Sequence, residues 1–111
     1  AKLGAAFAKG GTLTAGNSTA LTDGAACLLL MEEQRARELG LRPLAAVEDW
    51  SYVGVDPADQ LLAGPAFAIP KLLDRAGLSL ADIGRVDLHE AFAGQVLSVL
   101  KMLASDSFAK H

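Results

Sequence analysis

The sequence predicts an α/β fold in which strands and helices alternate along the chain. Three observations support this class: a continuous apolar run, short segments of alternating polarity, and stretches in which apolar residues recur at helical spacing. The order is strand–helix, followed by strand–helix–strand–helix, and parallel strands are the simplest way to build it. The 111 residues correspond to about one small domain.

The first part of the chain predicts a loop, a strand and a helix. Residues 10–24 are rich in Gly, Thr, Asn and Ser, which is typical of a loop, with a brief strand at 12–14. The apolar run 25–31 suits a strand that is buried on both faces. Residues 32–40 begin with acidic side chains, continue with basic ones and end at Gly40, which predicts a helix.

The remainder predicts two further strands with a helix between them. Residues 44–55 are β-prone and partly alternating, and residues 85–88 alternate in polarity, so both are expected to be strands. The intervening helix is expected over 68–78, with Pro70 in its first turn and Gly77 at its end.

Two local features complete the pattern. Ser79 is a candidate cap for one short turn. A last helix is expected to begin within a residue or two of His89. It carries a single apolar stripe, formed by Phe92, Val96, Val99 or Leu100, and Leu103.

Composition and charge exclude several classes of protein. Apolar residues make up 51% of the chain and charged residues 21%, which argues for a globular protein and against disorder. A net charge of −3 gives no reason to expect nucleic acid as a partner. The longest apolar run is far too short to cross a membrane, and no signal peptide is expected. The start at Ala1 and the end after a helical pattern suggest a piece of a larger protein.

The single cysteine limits the disulfides and metal sites that the chain can form. One cysteine allows no internal disulfide and no cysteine cluster, so no metal is expected and a reducing compartment is favoured. Cys27 lies within the apolar run and is expected to be a buried, inert thiol. The aromatic residues Trp50, Tyr52 and Phe67 are expected in the core or at its rim.

The segment DLHEAFAGQ, residues 87–95, places His89 between a predicted strand and a predicted helix. Ligands of parallel α/β sheets bind where strands end and helices begin. The helix N-terminus disfavours an imidazolium and Glu90 favours one, so a mostly neutral imidazole that donates one N–H is expected. Such a group suits a developing oxyanion, directly or through a water. A turn or capping residue without chemistry is the alternative.

The Gly- and Thr-rich loop also has two interpretations. Its small side chains would let a ligand approach the backbone, and its hydroxyl groups offer hydrogen bonds. It lacks the glycine spacing of a dinucleotide site and the lysine of a P-loop, so an ordinary surface loop is the alternative.

Three motifs, in order along the chain, resemble those of the thiolase family. GTLTAGNSTALTDGAA, residues 11–26, is similar to the family's GTVTAGNSS and DGAA stretch. VGVDPADQLLAGPAFAIPKLLDRAGLSLADI, residues 53–83, is similar to its second stretch, and HEAF stands where most thiolases have NEAF. The histidine of HEAF, the extra residue of DQLLAGP and Thr22 resemble the thiolase subunit of the β-oxidation trifunctional complex and its bacterial relatives.

The resemblance implies a fragment of the layered αβαβα thiolase fold, in which residues 1–42 end the first domain and residues 43–111 begin the second. It implies cleavage of 3-ketoacyl-CoA by CoA to acetyl-CoA and a shortened acyl-CoA. In the family one cysteine is acylated, while a second cysteine and a histidine move protons. These groups lie outside the matched stretches and Cys27 takes a position without a catalytic role, so the segment alone is expected to be inactive.

The resemblance assigns roles residue by residue. His89 replaces the NEAF asparagine, which helps to build an oxyanion hole by holding a water for the thioester oxygen. His89 is therefore the expected catalytic residue, acting directly or through that water. The positions that correspond to substrate and CoA contacts are Ala15, Gly16, Thr19, Ala91 and Phe92.

Cofactors and partners are likewise implied. No cofactor is expected, since coenzyme A is a substrate. Thiolases are dimers or tetramers, and this branch associates with a hydratase/dehydrogenase subunit, in the bacterial cytoplasm or in mitochondria. A non-catalytic acyl-CoA- or lipid-binding protein on a thiolase fold is one alternative. A biosynthetic acetoacetyl-CoA thiolase is another, although HEAF argues against it.

Overall fold

The computed structural model describes residues 3–108, and the helices in this part of the chain are three in number. Helix α1 spans Glu33–Glu38, α2 spans Gly64–Ala76 and α3 spans Ala93–Leu103. Two short 3₁₀ turns, Ala15–Asn17 and Leu80–Asp82, complete the regular structure of these residues.

The chain divides into two compact units. The larger unit combines residues 3–20 with residues 51–108 and contains α2, α3 and both 3₁₀ turns. The smaller unit is residues 21–50 and contains α1. Across the described residues, every helix is too short or too polar to traverse a lipid bilayer.

The core of the larger unit is built around α2 and α3, which pack against each other. Ala66 on α2 and Val99 on α3 are completely buried. The ring of Phe67 on α2 meets that of Phe108 edge to face, with 5.2 Å between centroids. Leu100 is 53% exposed, so Val99 is the member of the predicted stripe that reaches the core.

Helix α2 begins earlier than the sequence indicated. The prediction started it at 68 and placed Pro70 in the first turn, whereas the helix starts at Gly64 and its first turn contains Pro65. A proline is harmless in the first turn, since the N–H it lacks has no partner there. Pro70 therefore lies inside the helix, where it cannot donate to the carbonyl of Ala66.

The end of α2 follows the prediction. Gly77 has a φ of 67°, in the left-handed region that a glycine adopts without steric cost. The N–H of Gly77 donates to the carbonyl of Asp74 at 3.1 Å, and the N–H of Leu78 donates to the carbonyl of Leu73 at 2.9 Å. These bonds satisfy carbonyls that the end of a helix leaves unpaired.

The helix predicted over 32–40 is confirmed, and α1 is shorter than predicted. Its exposed face carries two ion pairs, Arg37 with Glu33 and Arg35 with Glu38, the latter at 3.1 Å. Exposed pairs of this kind contribute at most about 1 kcal/mol each. Gly40, with a φ of 67°, follows the last turn as expected.

None of the predicted strands forms within residues 3–108. The stretches 12–14, 25–31, 44–55 and 85–88 lack strand pairing, and the backbone bridges present are isolated ones, Ala5 with Thr14 and Ser18 with Phe92. A strand needs a neighbour for its N–H and C=O groups and a second layer over its faces. The strand predictions are therefore wrong for the part of the chain that the structure describes.

The missing pairing leaves apolar side chains in solvent. Within the smaller unit, Leu28 is 81% exposed and Leu30 is 77% exposed. Cys27 is exposed too, so the prediction of a buried thiol is wrong for this chain. Among the aromatic residues expected near the core, Phe67 is half-buried, whereas Trp50 and Tyr52 are exposed.

The short turn after α2 contains a carboxylate with two local donors. Ser79 stands at the cap position, as predicted, and both its hydroxyl and its N–H donate to Oδ2 of Asp82, at 2.7 and 2.8 Å. Both hydrogen bonds lower the pKa of Asp82, and the bond from the Ser79 hydroxyl contributes more than the bond from the Ser79 N–H.

We expect Val99→Ala to lower the free energy of unfolding by about 2 kcal/mol, because it removes buried methyl groups and leaves a cavity. Leu97→Ala, on the same helix but 58% exposed, is the matched control and should change stability by less than about 0.5 kcal/mol. Urea denaturation followed by circular dichroism measures both values. Equal losses for the two variants would contradict the placement of the core.

We expect Ser79→Ala to raise the pKa of Asp82 toward its ordinary value, since the larger of the two stabilising bonds is lost. Because the pKa of Asp82 is lower in the folded protein than in the unfolded one, ionised Asp82 stabilises the folded state fully above the unfolded-state pKa. This stabilisation is lost as the pH falls through the folded-state pKa. NMR titration of the Asp82 carboxyl carbon measures the change. Ser98→Ala, which removes a hydroxyl bonded to Gly94 on α3, should leave this titration unchanged.

Candidate functional site

The candidate site lies where two segments of the larger unit meet, the loop 12–19 and the turn 89–92. The N–H of Thr19 donates to the carbonyl of Ala91 at 2.8 Å. Next to this bond, Ser18 and Phe92 form an antiparallel bridge. Two stretches that are far apart in the sequence therefore share a backbone contact.

The loop is ordered by its own polar side chains. Oγ1 of Thr14 accepts from the N–H of Gly16 at 3.2 Å, and Oδ1 of Asn17 accepts from the N–H of Thr14 at 2.8 Å. Nδ2 of Asn17 donates to the carbonyl of Thr12 at 3.0 Å, and the hydroxyl of Ser18 donates to the carbonyl of Thr14 at 2.8 Å. These roles were not predicted from the sequence, although a threonine followed three positions later by an amide resembles a capping box.

Apolar contacts support the junction. The rings of Phe7 and Phe92 meet edge to face, with 5.5 Å between centroids and an interplanar angle of 77°. Leu13 lies over the first turn of α3, and a Cβ added to Gly94 would stand 3.1 Å from its Cδ2. Phe7 was also missed, because no pattern in its neighbourhood links it to a residue so far along the chain.

The structure brings together most of the predicted site residues. Thr19 contacts Ala91 and lies beside the bridge to Phe92, and Ala91 is only 8% exposed. Ala15 and Gly16 form the adjoining 3₁₀ turn and are exposed. A Cβ on Gly16 would stand 2.7 Å from Cδ1 of Leu3, so this turn approaches its neighbour closely.

His89 is exposed and precedes α3 by four positions, not by one or two. The residues before it, 85–88, are not a strand, so the predicted strand-to-helix joint is a loop-to-helix joint in this chain. The carbonyl of His89 accepts from Nε2 of Gln95 at 3.2 Å. Gln95 is a further residue that the sequence analysis did not single out.

Two cavities of the larger unit lie elsewhere. A mainly apolar cavity of about 240 Å³ is lined by residues of α2 and α3 together with Leu78, Leu80 and Phe108. A second, of about 180 Å³, is lined by residues 59–63 with Gln95 and Ser98. His89 is part of neither lining. Within the described part of the chain, no group of three His, Cys, Asp or Glu side chains is placed to hold a metal ion.

Comparison with known families and proteins gives the class. The family model "Thiolase, C-terminal domain" matches residues 41–109, which is more than half of the chain. The model "Thiolase, N-terminal domain" matches residues 1–34. The chain belongs to the thiolase family, and the resemblance noted in its sequence motifs is confirmed.

Similar proteins extend the comparison. The chain is 54% identical over 112 aligned positions to a 3-ketoacyl-CoA thiolase of Cronobacter sakazakii, with all of this chain and 26% of that protein aligned. It is 51% identical to the mitochondrial trifunctional enzyme subunit beta of Bos taurus, with all of this chain and 24% of that protein aligned. The chain thus spans about a quarter of the length of the curated relatives it matches.

Solved structures confirm the thiolase fold class. A Bacillus anthracis acetyl-CoA acetyltransferase is 47% identical and superposes with a TM-score of 0.85, over 94% of this chain and 26% of that one. Human mitochondrial 3-ketoacyl-CoA thiolase is 37% identical, with a TM-score of 0.80, over 96% of this chain and 27% of that one. The boundary expected at residues 42 and 43 stays a prediction.

We expect Thr19→Pro to loosen the junction between the loop and the turn, because proline lacks the N–H that donates to Ala91. The free energy of unfolding should fall by about 1 kcal/mol or more. Thr19→Val is the matched control: it keeps the N–H and removes a hydroxyl whose contact, with the carbonyl of Ala20, is a long 3.5 Å. Urea denaturation compares the two variants, and equal stability would show that the bond does not hold the junction.

Proposed function

We propose that this chain is a segment of a 3-ketoacyl-CoA thiolase, an acyltransferase of fatty-acid β-oxidation. The full protein would cleave 3-ketoacyl-CoA with CoA to give acetyl-CoA and a shortened acyl-CoA. One observation carries the proposal: the bond between Thr19 and Ala91 joins the loop GTLTAGNST to the turn HEAF, and both are family motifs. The names of the similar proteins support the reaction.

His89 is proposed as the catalytic group on the oxyanion side. Its ring is exposed at the approach to α3, and none of the hydrogen bonds among residues 3–108 uses its ring nitrogens. A ring N–H could then donate to the thioester oxygen as the acetyl group becomes an enolate, directly or through a water. A donor already in place stabilises that charge more than bulk water does, because water must reorient as the charge develops.

The junction around His89 is proposed to hold the rest of the substrate. Ala91 and Phe92 would line the pocket for the thioester and the pantetheine. Ala15, Gly16 and Thr19 would follow the pantetheine arm, since small exposed residues let a ligand lie close to the backbone. The hydroxyl of Thr19 makes only a long contact of 3.5 Å and is available to a ligand.

The acylated nucleophile is proposed to come from outside these residues, because the motif resemblance implies a position without a catalytic role for Cys27. No separate cofactor is proposed, since CoA is itself a substrate. We propose domains of 1–42 and 43–111, which the separate matches to 1–34 and 41–109 support.

Assembly and location are proposed from the same relationship. The full protein would be a dimer or tetramer that binds acyl-CoA and CoA. The similarity to a trifunctional enzyme subunit supports association with a hydratase/dehydrogenase subunit. Bacterial and mitochondrial relatives support a location in the bacterial cytoplasm or, in a eukaryote, in mitochondria.

In the full-length protein, we expect His89→Ala to lower kcat/KM for 3-ketoacyl-CoA cleavage about 100-fold or more, as loss of an oxyanion donor does. His89→Asn should stay within about tenfold of the parent, because an amide also donates a hydrogen bond at this family position. Loss of the absorbance of the 3-ketoacyl-CoA–Mg²⁺ complex measures the rate.

Lys101→Ala, in the last turn of α3, is the matched control for these variants and should keep the parental rate. The isolated 111-residue chain should show no cleavage at all. Unchanged activity of His89→Ala would contradict the assignment of His89. A full-length protein that binds acyl-CoA without cleaving 3-ketoacyl-CoA would overturn the proposed reaction in favour of a binding protein.

A further inference from the structure

The turn that carries His89 is closed by one side chain, that of Gln95 in the first turn of α3. Its Nε2 donates to the carbonyl of His89 at 3.2 Å, and its Oε1 accepts from the N–H of Phe92 at 3.3 Å. The carbonyl can only accept and the N–H can only donate, so the amide fits in a single orientation. One planar group therefore spans the turn from residue 89 to residue 92.

The other contacts of the turn do not reach His89. The carbonyl of Ala91 is bound by Thr19, and Phe92 is bridged to Ser18 and touches the ring of Phe7. Within residues 3–108, the bond from Gln95 is the hydrogen bond that holds the backbone of His89. Among the described residues, 3–108, no hydrogen bond to the ring nitrogens fixes the direction of the exposed imidazole.

We propose that Gln95 is a positioning residue that presents the His89 imidazole to the substrate. The bond to the carbonyl holds the peptide plane that follows residue 89, and Cα of His89 lies in that plane. The point at which the imidazole leaves the backbone, relative to α3, is thereby set before substrate arrives, and preset geometry of this kind lowers a reaction barrier. The inference rests on the proposed function, because Gln95 gains this role only if His89 acts on the substrate.

A purely structural role for Gln95 is the competing explanation. A Gln or Glu at the third position of a helix commonly accepts from the cap residue's N–H, and this bond stabilises the helix by itself. A glutamate keeps that bond to Phe92, but its carboxylate cannot donate to the carbonyl of His89. Gln95→Glu therefore separates the two roles within one residue.

A double-mutant cycle in the full-length protein tests the proposal. We expect Gln95→Glu to lower kcat for 3-ketoacyl-CoA cleavage about tenfold, with KM and Tm nearly unchanged. In the His89→Ala background the same change should alter kcat by less than about twofold, because the group that Gln95 positions is gone. Gln95→Met adds no charge and keeps the length of the side chain, so its loss of kcat should likewise depend on the presence of His89. This variant replaces Gln95→Glu in the cycle if the glutamate variant is unstable.

Gln34→Glu on α1 is the matched control, since it makes the same chemical change on an exposed helix face and should leave kcat unchanged. An equal loss of kcat with and without His89, or no loss at all, would overturn the positioning role and leave the proposed function intact. Full activity of His89→Ala alone would instead remove the proposed role of His89, and the inference about Gln95 with it.

Discussion

The hydrogen bond from the N–H of Thr19 to the carbonyl of Ala91 is the contact on which the candidate site depends. The loop 12–19 is already ordered by Thr14 and Asn17, so it reaches the junction as a formed unit. One backbone bond, of about 1 kcal/mol, can therefore fix the relation of the loop to the turn. The edge-to-face contact between Phe7 and Phe92 adds an apolar contact at the same junction.

The small core makes such local contacts more important. The buried apolar residues of the described chain are Ala36, Ala66, Ala91 and Val99, and three of these four are alanines. Side chains this small contribute little burial energy, since stabilisation scales with the apolar area removed from water. The larger apolar side chains of 25–31 lie in solvent instead. The backbone nevertheless superposes on that of the Bacillus anthracis acetyl-CoA acetyltransferase with a TM-score of 0.85, although residues 3–108 form isolated bridges and no strands.

Local chemistry decided which parts of the fold were predictable from sequence. The helix ends at Gly40 and Gly77 were predicted correctly, because a left-handed glycine is a local requirement. The predicted start of α2 was wrong because Pro70 was expected in the first turn, where Pro65 in fact lies. The strands were wrong because pairing depends on neighbours that a local pattern does not reveal.

In the candidate site, too, contacts between residues close in sequence were more predictable than contacts between distant residues. His89, Thr19 and Ala91 came from family motifs, and the structure brings the last two into contact. The capping by Asn17 could have been predicted from the spacing of a capping box. The contact of Phe7 could not, because its partner Phe92 lies far along the chain. Gln95 bonds two backbone groups of the turn, and only the folded geometry reveals which ones.

The proposed function requires the imidazole of His89 to face the thioester oxygen of an acyl-CoA held between the loop and the turn. A crystal structure of the full-length protein with acetyl-CoA tests it most directly. We expect a ring nitrogen of His89 about 3 Å from that oxygen, or from one water bound to it. A ring turned into solvent, with the thioester bound away from the loop 12–19, would contradict it.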